Sequence, residues 1–157
     1  MKVLAIDPGY DRLGVAVLEG KGSAVKLLYS ACVTTDATLE LTLRLAQLGK
    51  EVKKLLALHK PDTVAVETLF FNKNAKTVIG VAQARGIVIY LAHQAGCTIS
   101  EFGPQEIKVA VTGYGKSDKS AVIAMVKRLV EGVPEKAHDD EYDAIAVGIT
   151  ALAQHRD

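Results

Sequence analysis

Asp7 and Glu67 each close a short apolar run, residues 3–6 and 64–66. A carboxylate at the end of a buried strand costs several kcal/mol unless something holds it. A third acidic group lies in AHDDEYDAIAVG, residues 137–148. Asp140 and Asp143 are three apart and share one helix face near the first turn, and Asp139 and Asp143 would share a face equally well. The apolar continuation behind them, Ala144, Ile145, Val147 and Ile149, sets this acidic turn against a core. Taken singly, Asp7 could cap a turn, and acidic residues suit the dipole at a helix N-terminus without any metal. Glu67 is harder to explain in such a way. Four carboxylates gathered at one place would raise one another's pKa values. A hard divalent cation resolves that repulsion, and all-oxygen ligation suits Mg²⁺ or Mn²⁺. A pair of such ions about 4 Å apart would suit in-line phosphoryl transfer.

The chain that must position these groups has 157 residues and is 49% apolar, which excludes disorder. It reads as one domain, 1–157, with no repeat, linker or membrane-length apolar run. MKVLAIDPG reaches a carboxylate at position 7, so it predicts a first strand rather than a signal peptide. Cys32 and Cys97 read as unpaired thiols, which fits a reducing cytoplasm. Net charge is only +1, but it is unevenly placed. Residues 50–128 carry twelve basic and six acidic side chains, whereas residues 129–157 carry two and seven. A basic middle beside an acidic end suits a polyanion-binding surface around a cation site.

Strands are expected at 2–7, at 13–19 and from about 24 to 34, the last two joined by a GKGS hairpin turn at 20–23. Leu41, Leu45, Leu48, Val52, Leu55 and Leu56 predict a helix over 39–59, stopped by Pro61. A fourth strand at 63–67, a helix at 74–95 and a fifth strand at 97–102 follow. Ala75, Gly80, Ala82, Ala84 and Gly86 make that helix a candidate for close packing or dimerisation. Beyond it come a short helix, a glycine-rich loop GYGKSDKS, a helix over 119–131 capped by Ser117 or Asp118, and a last helix from about His138. Three hairpin-linked strands followed by alternating helices and strands predict an α/β fold. Its mixed five-stranded sheet has the first three strands antiparallel and helices on both faces. In such sheets ligands gather at strand ends near a topological switch point. Were the strands at 2–7 and 63–67 parallel neighbours, Asp7 and Glu67 would lie side by side.

IDPGYDRLGVAV, VAVETLFFNKNAKTVIGVAQARG, GPQEIKVAVTGYGKSDKSAV and DDEYDAIAVG resemble, in order and spacing, the motifs of the RuvC family of bacterial Holliday junction resolvases. The resemblance runs from Met1 to about Ala153. The first motif is shared with actin-like sugar kinases, whereas the second and third are far more specific. The resemblance implies a ribonuclease H-like fold, a cytoplasmic homodimer and Mg²⁺-dependent symmetric nicking of four-way junctions in DNA recombination and repair. RuvA and RuvB are the implied partners. It implies that Asp7, Glu67, Asp140 and Asp143 bind metal, with His138 and Asp139 as adjacent alternatives to Asp140. Lys108 and Lys119 would stand near the scissile phosphate. Phe70 would stack on bases at the junction centre, with Phe71 packing or assisting. Lys73, Lys76, Arg85 and Lys116, and more weakly Lys50, Lys53 and Lys54, are phosphate-contact candidates. After Ala153 only His155 and Arg156 could be basic, where some relatives carry a basic tail. The alternatives are a nuclease of the same fold acting on another nucleic acid, or a junction-binding module without catalysis.

Overall fold

The structure, a computed structural model, describes residues 1–21, 24–69 and 75–155, the side chains of residues 75 and 76 excepted. Lys2–Asp7 (β1), Arg12–Lys21 (β2) and Ala24–Thr34 (β3) form an antiparallel meander. Of the expected GKGS turn, Gly20 and Lys21 belong to β2, while Gly22 and Ser23 lie outside the described residues. Thr63–Glu67 (β4) pairs parallel to β1, and Thr98–Phe102 (β5) pairs parallel to β4. The sheet order is therefore β3-β2-β1-β4-β5, mixed as the element pattern predicts. Val3 to Ile6 and Val64 to Val66 are fully buried, because helices cover both faces of these central strands.

Leu41–His59 (α1) and Ala75–Gln94 (α2) cover one face, packing Leu48, Val52, Leu55, Ala84, Val88 and Ala92 onto Leu4, Ile6, Val15 and Val17. Lys60, left-handed at φ 46°, ends α1 by donating its N–H to the Leu56 carbonyl immediately before Pro61. Pro104–Thr112 (α3), Lys119–Leu129 (α4) and Asp139–Gln154 (α5) cover the other face through Ile107, Val111, Val122, Val126 and Ile145. Asp118 caps α4, its carboxylate accepting from the Ala121 N–H at 2.8 Å. That helix ends at Leu129 rather than 131, because Glu131 is drawn out against β3. Glu131 N–H donates to the Val25 carbonyl, and its carbonyl accepts from Leu27 N–H. Edge pairing outweighs one more helical turn there, since an open strand edge leaves backbone groups without partners.

Helix α5 is buried throughout from Ala144 to Leu152 and packs against β1 and β2. Gly148 permits this: a β-carbon there would collide with Leu18 and stand 3.3 Å from the Ala5 β-carbon. Cys32 and Cys97 are both free thiols, Cys97 buried and Cys32 half-buried. No described helix is long and apolar enough to cross a membrane. Gly148→Val should overpack this contact and cost about 2 kcal/mol. Urea unfolding would register that loss as a lower midpoint at unchanged slope, and an unmoved midpoint would mean that α5 has room to withdraw.

Candidate active site

Parallel pairing decides the first half of the site. Ile6 stands opposite Val66, so Asp7 and Glu67, one residue on, emerge together at the same sheet edge. The second half arrives on α5. Gly14 pairs with Asp7 across β2, and any side chain at position 14 would collide with the Asp140 backbone carbonyl. This absence of a side chain lets the first turn of α5 settle against the strand that carries Asp7. Asp140 and Asp143 thereby join Asp7 and Glu67.

Electrostatics record the convergence. Asp7 is pushed up to about 8, first by burial and then by the charges of Asp143, Glu67 and Asp140, against a partial opposing effect of Lys119. Burial and Asp143 raise Glu67, with Lys119 and Lys108 acting the other way. Burial also raises Asp143, although Lys119 offsets part of this. Burial alone would lower Lys119, but its hydrogen bond to Asp143 at 2.7 Å and the charges of Asp143, Asp139 and Asp7 hold it above its ordinary value. Lys119 thus stays charged at the mouth of an acidic cluster.

Glu67, Asp143, Lys108 and Lys119 line a cleft of about 260 Å³ whose apolar wall is Pro104, Ile107, Val122 and Ala146. Carboxylates and ammonium groups lining one cleft could hold a cation and a phosphate oxygen together. The donor set fits a hard cation, since buried like charges are what such an ion relieves. Among the described residues no three acidic, imidazole or thiol groups stand close enough together to enclose an ion. The competing contacts explain the spread. Asp143 is drawn to Lys119, and Arg12 stands 3.6 Å from Asp140.

Asp139 is turned outward: its side chain is 70% exposed and faces Lys119 at 3.7 Å. His138 serves the N-terminus of α5, its backbone N–H donating to Glu141 at 3.2 Å. Of the alternatives at this helix start, Asp140 is therefore the group beside Asp7. Lys116 is exposed on the loop before α4, outside the cleft lining. Arg85 is engaged elsewhere: it pairs with Glu101 across α2 and β5 and is only 22% exposed, so a phosphate contact would require that pair to open. Lys50, Lys53 and Lys54 are exposed on α1, away from the cleft, and Lys54 pairs with Glu51. Phe70, Phe71 and Lys73 lie outside the described residues, as does the side chain of Lys76. Sequence reasoning missed Arg12, Ser30 and Cys32, which touch the acidic turn of α5 from β2 and β3. More than a hundred residues separate the β3 pair from that turn, and no local spacing signals such contacts.

A mixed sheet whose two central parallel strands end in carboxylates, met by an acidic helix under lysines, defines a nuclease of the ribonuclease H-like class. The family model for crossover junction endodeoxyribonuclease RuvC matches residues 3–151. The enzyme of that name from Syntrophomonas wolfei is 42% identical over 156 residues, covering 99% of this chain and 91% of its own. That from Thermosipho melanesiensis is 42% identical over 147 residues and 94% of each chain. The structure of Thermus thermophilus RuvC in complex with Holliday junction substrate superimposes with a TM-score of 0.92 at 30% identity, over 98% of this chain and 94% of that one. The chain belongs to the RuvC family of crossover junction endodeoxyribonucleases.

The raised Asp7 sets the pH dependence of the cation-free protein. Between its ordinary value of 3.8 and about 8 the folded state holds a proton that the unfolded state has lost. Stability must then fall as pH rises through that window. Without divalent ions, the melting temperature should drop by roughly 5 °C or more from pH 6 to pH 9, and Asp7→Asn should flatten the slope. Parallel slopes for the two proteins would mean that the burden lies on another group.

Proposed function

We propose that this protein is a homodimeric, Mg²⁺-dependent endonuclease that resolves four-way DNA junctions. Symmetric nicks in two strands would leave 5′-phosphate and 3′-hydroxyl ends, in recombination and repair. The observation that carries this reading is the convergence of Glu67, Asp140 and Asp143 on Asp7 from separate elements, beside a cleft that Glu67 and Asp143 line together with Lys108 and Lys119. Family membership supports the junction as substrate, and a relative so similar in fold carries a Holliday junction in its own structure.

The four carboxylates would hold Mg²⁺, with Mn²⁺ as a substitute. When bound, the ion supplies water activation and charge neutralisation at the phosphodiester. Repulsion among the carboxylates gives the chain its affinity for the cation, and burial keeps bulk water from screening it. Lys119, held charged, and Lys108 beside it would balance negative charge that develops on the phosphate. By its resemblance to the family, Phe70 would stack on bases near the junction centre. Such stacking is worth about 1–3 kcal/mol and tolerates any sequence. Phe71, Lys73, Lys76 and Lys116 would add contacts around it.

Two cuts related by symmetry call for two sites related by symmetry. The outer face of α2 supports a dimer contact: Ile79 and Tyr90 are 61% and 60% exposed, and Gly86 between them meets open space. RuvA and RuvB remain the partners expected by family analogy, and the cytoplasm the expected compartment.

Incubating the protein with a synthetic four-way junction, with and without Mg²⁺, and mapping the nicks tests the reading. Paired nicks that require the ion are expected, and intact junctions in Mg²⁺ would end the assignment. Asp7→Asn should reduce cleavage by at least about 10²-fold while leaving junction affinity within about two-fold, since it removes a ligand and not the basic rim. Phe70→Ala should weaken junction cleavage more than duplex binding, and equal losses would make Phe70 structural.

A further inference from the structure

Strand β3 changes phase once along its length. Val25 and Leu27 pack toward the α3–α5 layer, whereas Ala31 and Val33 pack toward α1 and α2. The change occurs at a β-bulge: Leu18 pairs with Leu27 and Val17 with Tyr29, so Leu28 is the extra residue. An unbroken strand has period two and would have kept Tyr29 and Ala31 on the α5 side. With the bulge, Ser30 and Cys32 face α5 instead. Bulges of this kind re-aim side chains beside functional sites.

Both residues then meet the acidic turn. Ser30 Oγ donates to Glu141 Oε2 at 2.7 Å, and Cys32 Sγ donates to Asp140 Oδ2 at 3.7 Å. Glu141 Oε1 accepts from the His138 N–H at 3.2 Å, so the serine bond steadies the turn as well as the side chain. Arg12 Nε stands 3.6 Å from the same Asp140 oxygen that Cys32 meets. Those two contacts both fall on Oδ2 and neither on Oδ1.

We propose that Ser30 and Cys32 are positioning residues for cation binding, through which the bulged edge strand clasps the first turn of α5 and fixes Asp140 beside Asp7. This rests on the metal site proposed above. Acidic groups crowded at one sheet edge tend to splay, and something must hold the pair on α5 in place for an ion. Lysine or arginine could do so only while opposing the cation. Neutral donors hold the carboxylate without that opposition. Outer partners of this kind typically alter metal affinity by about 10–100-fold.

Mn²⁺ binding, followed by the electron paramagnetic resonance signal of the free ion, tests this without reference to activity. Three proteins are compared: the unaltered chain, Ser30→Ala with Cys32→Ala, and Ser30→Thr with Cys32→Ser. The alanine pair should bind Mn²⁺ about ten-fold more weakly, and the conservative pair within about two-fold of the unaltered chain. Cleavage by the alanine pair should recover as Mg²⁺ is raised, with junction affinity in Ca²⁺ unchanged. Equal Mn²⁺ affinity in the alanine pair would overturn the proposal. So would a conservative pair as weak as the alanine pair, which would assign the effect to packing. If the alanine pair does not melt cooperatively, Ser30→Ala alone decides by the same titration. An unaltered chain that binds no Mn²⁺ would instead bring down the metal site itself.

Discussion

Asp7 and Glu67 stand side by side because β1 and β4 run parallel and in register, and they do so at a half-buried sheet edge where neither charge is fully hydrated. The rest of the molecule is arranged around tolerating that repulsion. The strands behind the two carboxylates are buried without a break, and helices lock them from both faces. A core of this kind can hold a locally unfavourable arrangement, because moving either carboxylate would mean breaking the ladder and the packing together. The strain of like charges is then available to an incoming cation.

Compensation comes from outside the sheet. Lys119 is the first residue of α4, a place where the helix dipole disfavours a cation. Asp118 caps that helix, and Asp143 and Asp139 hold the ammonium group from α5. A local rule is thus broken at a functional position and offset by partners drawn from elsewhere in the chain. Arg12 plays a comparable part at Asp140, standing 3.6 Å from its carboxylate.

Much of this was legible in the residue order. Apolar runs, helical spacing and turn or cap residues together predicted the strands and helices seen among the described residues, and the apolar run into Glu67 singled out a carboxylate that could not be ordinary. Helix ends were less legible where a distant element competes. Residues 130 and 131 read as helix from their own neighbourhood, yet the free edge of β3 takes both backbone groups of Glu131. Arg85 read as a phosphate contact because its partner Glu101 lies on another element. The same holds for Ser30 and Cys32, whose orientation depends on a single extra residue in β3 that alternation alone does not reveal.

The sequence by itself determined which chemical groups the protein has and which of them end strands or open helices, because those properties follow from local pattern. It also determined the mixed sheet, since hairpin spacing and crossover length leave few other topologies. Only the tertiary structure decided that Asp140, rather than its neighbour Asp139, lies beside Asp7. That choice depends on the rotation of α5 about its own axis. The rotation is set by close approach at Gly14 and Gly148, positions remote from one another along the chain. Local spacing fixes which residues share a helix face, but packing against the sheet fixes which face is turned inward.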